Sequence, residues 1–234
     1  MNGLSLTLTG ETLCALPSGA LYWPDRRLLC VSDLHFAKSD RIARREGRML
    51  PPYETRATLA RLDADLEATG AEQVVCLGDS FDDLAGERAL DEDDMLWIAR
   101  LQAGRDWIWI EGNHDPGPLS LGGSHLAELT LGALTFRHIA RAGGSGEISG
   151  HYHPKCRIRG PARPAFLVDR SRMILPAYGA YTGGLDCAAP VLQALMADPA
   201  LAILTGPRCV PAPLPRTQGR GHRPPTGRPT RLGA

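Results

Sequence analysis

The amino-acid sequence predicts an α/β fold in its first half, continued by a second, mostly antiparallel sheet. Three observations carry this reading. Apolar runs that stop at a glycine or an acid recur as LLCVSD (28–33), QVVCLGDS (73–80) and WIWIEGNHD (107–115). Stretches with helical spacing lie between them, and past Asp115 the texture changes to short strands separated by Gly, Pro and Arg turns. Runs that are apolar at every position belong to strands covered on both faces.

The elements follow in order. LSLTLTG (4–10) alternates apolar and polar residues, the pattern of a half-buried edge strand. After the first solid apolar run, AKSDRIARREGR (37–48) reads as a short basic helix, with Arg41, Arg45 and Arg48 on one face. ETRATLARLDADLEATG (54–70) is a helix with a Gly stop, and LDEDDMLWIARLQAG (90–104) is a helix with acids in its first turn and a basic residue near its end. The later strands are LAELTLG, ALTFRH, GEISGHYH, AFLVDR and MILPAY, followed by a helix at VLQALMAD. The four tryptophans are assigned to packing, since Trp107 and Trp109 lie within an apolar strand.

Composition bounds the function only loosely. At 234 residues with 43% apolar and 22% charged side chains, the chain suits one large domain. Lys+Arg and Asp+Glu balance at 26 each, so net charge gives no argument for a nucleic-acid partner. The charge is unevenly placed. Residues 211–234 hold five Arg and no acid among Pro, Gly and Thr, which leaves residues 1–210 at −5. We read residues 1–210 as the folded domain and residues 211–234 as a disordered basic tail, a solubilising extension or a contact for a phosphate backbone. The six cysteines form no CxxC pair and read as buried, reduced thiols. No basic leader precedes an apolar run and no window reaches a membrane span, so a cytoplasmic protein without a membrane partner is expected.

The chemistry gathers where the apolar runs stop. In open α/β sheets, ligands bind outside the carboxyl ends of the strands. Those ends carry Asp33 and His35, then Gly78 and Asp79, then Asn113, His114 and Asp115, then His138, then His151 and His153. Each piece alone is weak, but all of them in this order are not a chance arrangement. Carboxylate, imidazole and amide oxygen without thiolate suit Mn²⁺, Fe²⁺ or Zn²⁺, and a shared carboxylate would bridge two such ions about 3.5–4 Å apart.

DLH (33–35), GDSFDD (78–83), GNHD (112–115), His138 and GHYH (150–153) resemble the five motifs of the calcineurin-like metallophosphoesterase superfamily. The flanks, from LPSGALYWPDRRLLCVSDLHF to LPAYGAYTGGL, resemble more narrowly the ligase-associated DNA damage response endonuclease (PdeM) family. The resemblance implies a sandwich of two mixed β-sheets flanked by helices. It further implies that Asp33, His35 and His153 bind one metal, that Asn113, His138 and His151 bind the other, and that Asp79 bridges them. The ions, Mn²⁺ first among the three, would activate the attacking water and stabilise charge on the phosphoryl oxygens. His114 would protonate the leaving alkoxide, with Asp115 holding its ring in the right tautomer. Functional association with an ATP-dependent DNA ligase, a helicase and a nuclease is also implied.

Several positions stay open. His125 competes with His138, but only His138 is delivered to a strand end by an apolar run. Asp82 and Asp83 either support the ligands or cap a helix, and Arg41, Arg45 and Arg48 form either a phosphate contact or a solvated helix face. PAYGAYTGGL (176–185) is a substrate loop or a tight turn. The leading activity is a metal-dependent phosphodiesterase or endonuclease acting on DNA in repair. A phosphatase or phosphodiesterase for small-molecule or lipid-precursor esters is the alternative, followed by a non-catalytic scaffold.

Overall fold

A computed structural model describes residues 3–47, 49, 51, 53–81, 86–116 and 121–216. Arg48, Asp82, Asp83 and tail residues 217–234 lie outside them. The chain forms fifteen strands and four α-helices among the described residues. The first sheet holds β1 (Leu4–Leu8), β2 (Glu11–Ala15), β3 (Leu21–Trp23), β4 (Leu28–Val31), β5 (Gln73–Leu77), β6 (Asp106–Ile110) and β7 (Ser124–Leu126), in that spatial order. Helices α1 (Lys38–Glu46) and α2 (Glu54–Thr69) connect β4 to β5, and α3 (Glu92–Gln102) lies between β5 and β6. β1 through β4 pair antiparallel, whereas β4, β5, β6 and β7 run parallel.

The second sheet has the order β15 (Val210–Pro213), β14 (Leu201–Leu204), β12 (Arg163–Val168), β13 (Arg172–Ile174), β10 (Glu147–Ser149), β9 (Leu134–Arg137), β8 (Glu128–Leu131). β11 (Lys155–Cys156) pairs with β12, and α4 (Pro190–Leu195) precedes β14. Most pairs are antiparallel, as the short turns suggest. The exceptions are β9 with β10 and β10 with β13, which are parallel. Both sheets are thus mixed, and the difference from the antiparallel expectation positions the site.

The period of two along each strand builds the layers. In β5, Val74 and Cys76 face the cluster that holds Leu59, Leu62 and Leu66 of α2 and Ile98 and Leu101 of α3. Val75 and Leu77 point the other way, into a cluster with Leu134, Phe136, Ile148, Phe166 and Met173 of the second sheet. β6 repeats this, with Trp107 and Trp109 towards the helices and Ile110 towards the second sheet. On that sheet's outer face, Ala165, Leu167, Ile174 and Leu204 pack with Leu192 of α4. The result is helices, sheet, sheet, helix. A continuous apolar run is required because both faces of each central strand are buried.

Two local expectations are corrected. The folded domain does not end at residue 210: Val210–Pro213 pairs antiparallel with β14, Leu214 is buried, and the Arg216 guanidinium lies 2.6 Å from Asp198. Proline disqualifies a central strand but not an edge strand, and β15 is at the edge. The cysteines are not all reduced, because Cys156 and Cys187 form a disulfide while Cys14, Cys30, Cys76 and Cys209 are free. The pairing is invisible locally; the Cys187 N–H donates to the Lys155 carbonyl and the Lys155 N–H to the Leu185 carbonyl, which brings the two segments together. No helix among the described residues is long and apolar enough to cross a membrane.

The inter-sheet layer predicts its own energetics. Phe166→Ala, at 0% exposure between the sheets, should cost about 3–5 kcal/mol in urea unfolding. Met95→Ala, at an exposed position of α3, should stay within about 0.5 kcal/mol of the parent. Equal losses would contradict the layer assignment.

Candidate metal centre

The carboxyl ends of five strands meet at one edge of the sandwich. β4, β5 and β6 deliver Asp33 and His35, Asp79, and Asn113 through Asp115; β9 and β10 deliver His138, and His151 with His153. Because β4–β5–β6 and β9–β10 are each parallel sets, the ends within each set point the same way. Backbone hydrogen bonds then tie the loops together: His35 N–H donates to the Asp79 carbonyl at 3.0 Å, and Gly150 N–H to the His138 carbonyl at 2.9 Å.

The turns at these ends are sharp. Asp33, His35, Asp79, His151 and His153 all have φ between 46° and 70°, the left-handed region that non-glycine residues avoid. Such conformations cost on the order of 1–3 kcal/mol each and persist only where the surroundings enforce them. Two glycines permit the close approach. A Cβ on Gly78, itself at φ 71°, would lie 2.6 Å from the His138 ring, and one on Gly112 would collide with the Asp79 amide and the Asp115 carboxylate.

The side chains gather in two groups. In the first, His153 Nε2 lies 3.0 Å from Asp33 Oδ1 and 3.4 Å from His35 Nε2. In the second, His138 Nε2 lies 3.3 Å from Asp79 Oδ2, 3.2 Å from His151 Nδ1 and 3.0 Å from Asn113 Oδ1. Within each trio, Asp33–His35–His153 and Asp79–His138–His151, ligand atoms lie within 4.8 Å of one another. Ring nitrogens that converge on each other and on a carboxylate form a set that a divalent ion in each trio would satisfy together, so the donor chemistry fits such an ion. His138 Nδ1–H donates to the Leu77 carbonyl, 2.8 Å away, which leaves Nε2 facing the group.

Electrostatics give the same picture. Burial pushes the Asp79 carboxyl up, but the hydrogen bond and charge of His138, the His114 amide and the His114 charge outweigh it and bring the group down to about 2. Asp33 is likewise held below its ordinary value: burial opposes ionisation, and His153, His138 and Ser32 override it. Burial lowers His138, yet Asp79, Asp33 and the Leu77 carbonyl raise it on balance. His151 is lowered by burial and by the charge of His138. The cluster therefore retains anionic carboxylates in a buried place and draws positive charge to them.

His114 sits at the margin of both groups. Its backbone N–H donates to Asp79 Oδ1 at 2.8 Å, its Nε2 is 3.9 Å from Asp79 Oδ2, and its ring lies edge-on to His35 at 5.6 Å. Its side chain is 39% exposed, so it can meet a bound molecule. Asp115 is engaged by backbone amides. Its Oδ1 accepts from the backbone N–H of Asp79 (2.9 Å) and Gly112 (3.1 Å), and its Oδ2 from Ser80 (2.8 Å) and Phe81 (3.2 Å). A carboxylate has about four acceptor positions, and four amides use them, so Asp115 clamps two strand ends together. Burial and then the nearby Asp79 charge push its carboxyl up to about 6, against the lowering effect of the amides.

The remaining expected residues fall as follows. His125 lies in β7 opposite Trp109 and belongs to neither trio. Arg41 and Arg45 are on α1, which begins three residues after His35; Arg41 is half-buried and Arg45 exposed. The 176–185 loop closes over the first strand end, with the N–H of Tyr178 and Gly179 donating to the carbonyls of Ser32 and Asp33. Two contributors were not read from sequence. Ser32 Oγ donates to Asp33 Oδ2 at 2.5 Å, and Tyr152 stacks edge-on against His151 at 4.9 Å. Their adjacency to Asp33 and His151 was the only available signal.

The fold and this edge place the chain among phosphoesterases. The calcineurin-like phosphoesterase family model matches residues 26–174, and the chain belongs to that family. Among solved structures, the crystal structure of Pseudomonas putida nuclease MPE is similar, with a TM-score of 0.73 and 28% identity over 90% of this chain and 100% of that one. No curated protein matches the chain.

Two substitutions test the geometry. His138→Ala should lower bound Mn²⁺ towards one equivalent by elemental analysis, while His125→Ala retains two; full occupancy in His138→Ala would refute the grouping. Asp115→Asn turns a donor towards backbone donors and should destabilise the protein by about 1–3 kcal/mol for each amide left unmatched. Unchanged stability with lost activity would instead restore the ring-orienting role.

Proposed function

We propose that the protein is a metal-dependent phosphodiesterase that cleaves nucleic acid, DNA in the first instance, within a ligase-associated repair pathway in the cytoplasm. The observation that carries this reading is the pair of carboxylate–imidazole groups at one edge, with the half-exposed His114 beside them. The similarity to a nuclease favours a phosphodiester over other phosphate esters. The association with an ATP-dependent DNA ligase, a helicase and a nuclease rests on the flanking sequence alone.

In this reading Asp33, His35 and His153 would hold one ion, Asn113, His138 and His151 would hold the other, and Asp79 would serve both. Two divalent ions, Mn²⁺ before Fe²⁺ or Zn²⁺, supply charge stabilisation for the phosphoryl oxygens and an activated water. The polypeptide does the rest. The Asp79 carboxylate fixes the His114 backbone, and the His114 ring gives its proton to the leaving oxygen. The Asp115 clamp keeps Asp79 and Gly112 in register, so the proton donor and the ligands move as one unit. Arg41 and Arg45 of α1 contact the phosphate backbone beyond the cleaved bond.

Metal-reconstituted protein should hydrolyse a DNA phosphodiester and an aryl phosphodiester faster than an aryl phosphomonoester. His114→Ala should lose about 10²–10⁴-fold in kcat while keeping both metals. Preference for the monoester would favour a small-ester phosphatase, and no metal-dependent turnover on any substrate would favour a scaffold.

A further inference from the structure

A cleft of about 340 Å³ opens from the second group, since Asn113 and His138 line it. The same wall carries Ile139, Arg137 and Arg141, and Glu111 is its one acidic lining residue. None of these last four has a task in the reaction proposed above. We propose that Arg141 forms a second anion subsite in this cleft, which takes the phosphate neighbouring the cleaved one on a nucleic-acid strand. The proposal rests on the phosphodiesterase reading and names the substrate feature it selects.

The first support is how Arg141 is held. Its Nη1 lies 3.3 Å from Glu128 Oε2, and Arg137 Nη2 reaches the same oxygen at 3.2 Å. Its backbone N–H donates to Glu147 Oε2 at 2.9 Å. That carboxylate is buried, with Arg137 Nη1 at 3.6 Å from Oε2 and Arg172 Nη1 at 3.3 Å from Oε1. A chain of charges thus runs from the core of the second sheet to the cleft and fixes the Arg141 loop at both backbone and side chain. Ordering a guanidinium in advance removes entropy that binding would otherwise cost.

The second support is what is left over. Three guanidinium groups face two carboxylates along this chain, so one positive charge is unmatched. Arg137 is 15% exposed at its side chain and is engaged at both Nη atoms, whereas the Arg141 side chain is 69% exposed. The other Arg141 donors have no partner among the described residues. Glu111 opposes an anion in its own vicinity, which leaves the Arg141 end as the place for one.

The third support is position. Arg141 follows His138 by three residues, so at most about 11 Å of chain separates them. That is within reach of the next phosphate when the cleaved one lies at His138 and Asn113. Ile139, 43% exposed between the two, offers an apolar surface to the intervening sugar or base. Guanidinium for phosphate and an aliphatic surface for the nucleoside together describe a nucleotide-sized site.

The probes are the dinucleotide TpT and its 5′- and 3′-phosphorylated forms, cleaved by the Mn²⁺-loaded protein. One phosphorylated form should have a kcat/KM about tenfold above that of TpT, and Arg141→Ala should bring that ratio close to one. Arg141→Lys, which keeps the charge without the planar fork, should retain part of it. Arg100→Ala, an exposed arginine of α3 across the first sheet, should leave the ratio as it is. A ratio of one for both phosphorylated forms in the parent protein, or a ratio that survives Arg141→Ala, would overturn the subsite. Failure to cleave TpT or an aryl phosphodiester at all would instead overturn the phosphodiesterase reading.

Discussion

Three carboxylates, Asp33, Asp79 and Asp115, are buried at one edge of the sandwich, and the architecture depends on compensating them. An isolated buried carboxylate costs several kcal/mol even after relaxation. Each finds a different answer. Asp115 takes four backbone N–H groups from two strand ends; Asp33 takes Ser32, the His151 amide and His153; Asp79 takes the His114 amide and the His138 ring. The first compensation is drawn from backbone amides alone. The other two lean on histidines that themselves converge, and a cation in each trio would complete them.

This division separates structure from chemistry. Asp115 sets the spacing of the ends of β5 and β6, and so the relation of Asp79 to His114. Parallel pairing sets the rest. β9 and β10 would deliver His138 and His151 to opposite edges if they ran antiparallel; their parallel register puts both histidines on one side, with ring centroids 5.0 Å apart. Left-handed backbone at five of the seven expected ligands is the strain that this convergence requires. Gly78 and Gly112 leave no room for a Cβ, which is what lets the His138 ring and the Asp79 and Asp115 groups approach so closely.

Much of this was legible in the chain. Apolar runs such as QVVCL and WIWI announce strands buried on both faces, and the polar residues that follow them are the ones that gather at the edge. His138 could be preferred over His125 because ALTF carries it to a strand end, and the two trios include the first and not the second. What escaped was non-local. Nothing in GEISG reveals that β10 pairs parallel on both sides, nothing near Cys156 points to Cys187, and VPAP reads as coil until an edge is available for it. The use of Asp115 escaped for a similar reason, because four of its partners are backbone amides that any sequence would supply.

The proposed function requires the two metal positions to lie close enough to act on one phosphate, with Asp79 serving both, and magnetic coupling would report that separation directly. Protein loaded with two equivalents of Mn²⁺ should give an exchange-coupled electron paramagnetic resonance spectrum, as expected for ions about 3.5–4 Å apart through a shared ligand. Asp79→Asn should weaken that coupling or empty one position. A spectrum of two isolated Mn²⁺ ions in the parent protein, with its six-line signal accounting for all bound metal, would contradict it.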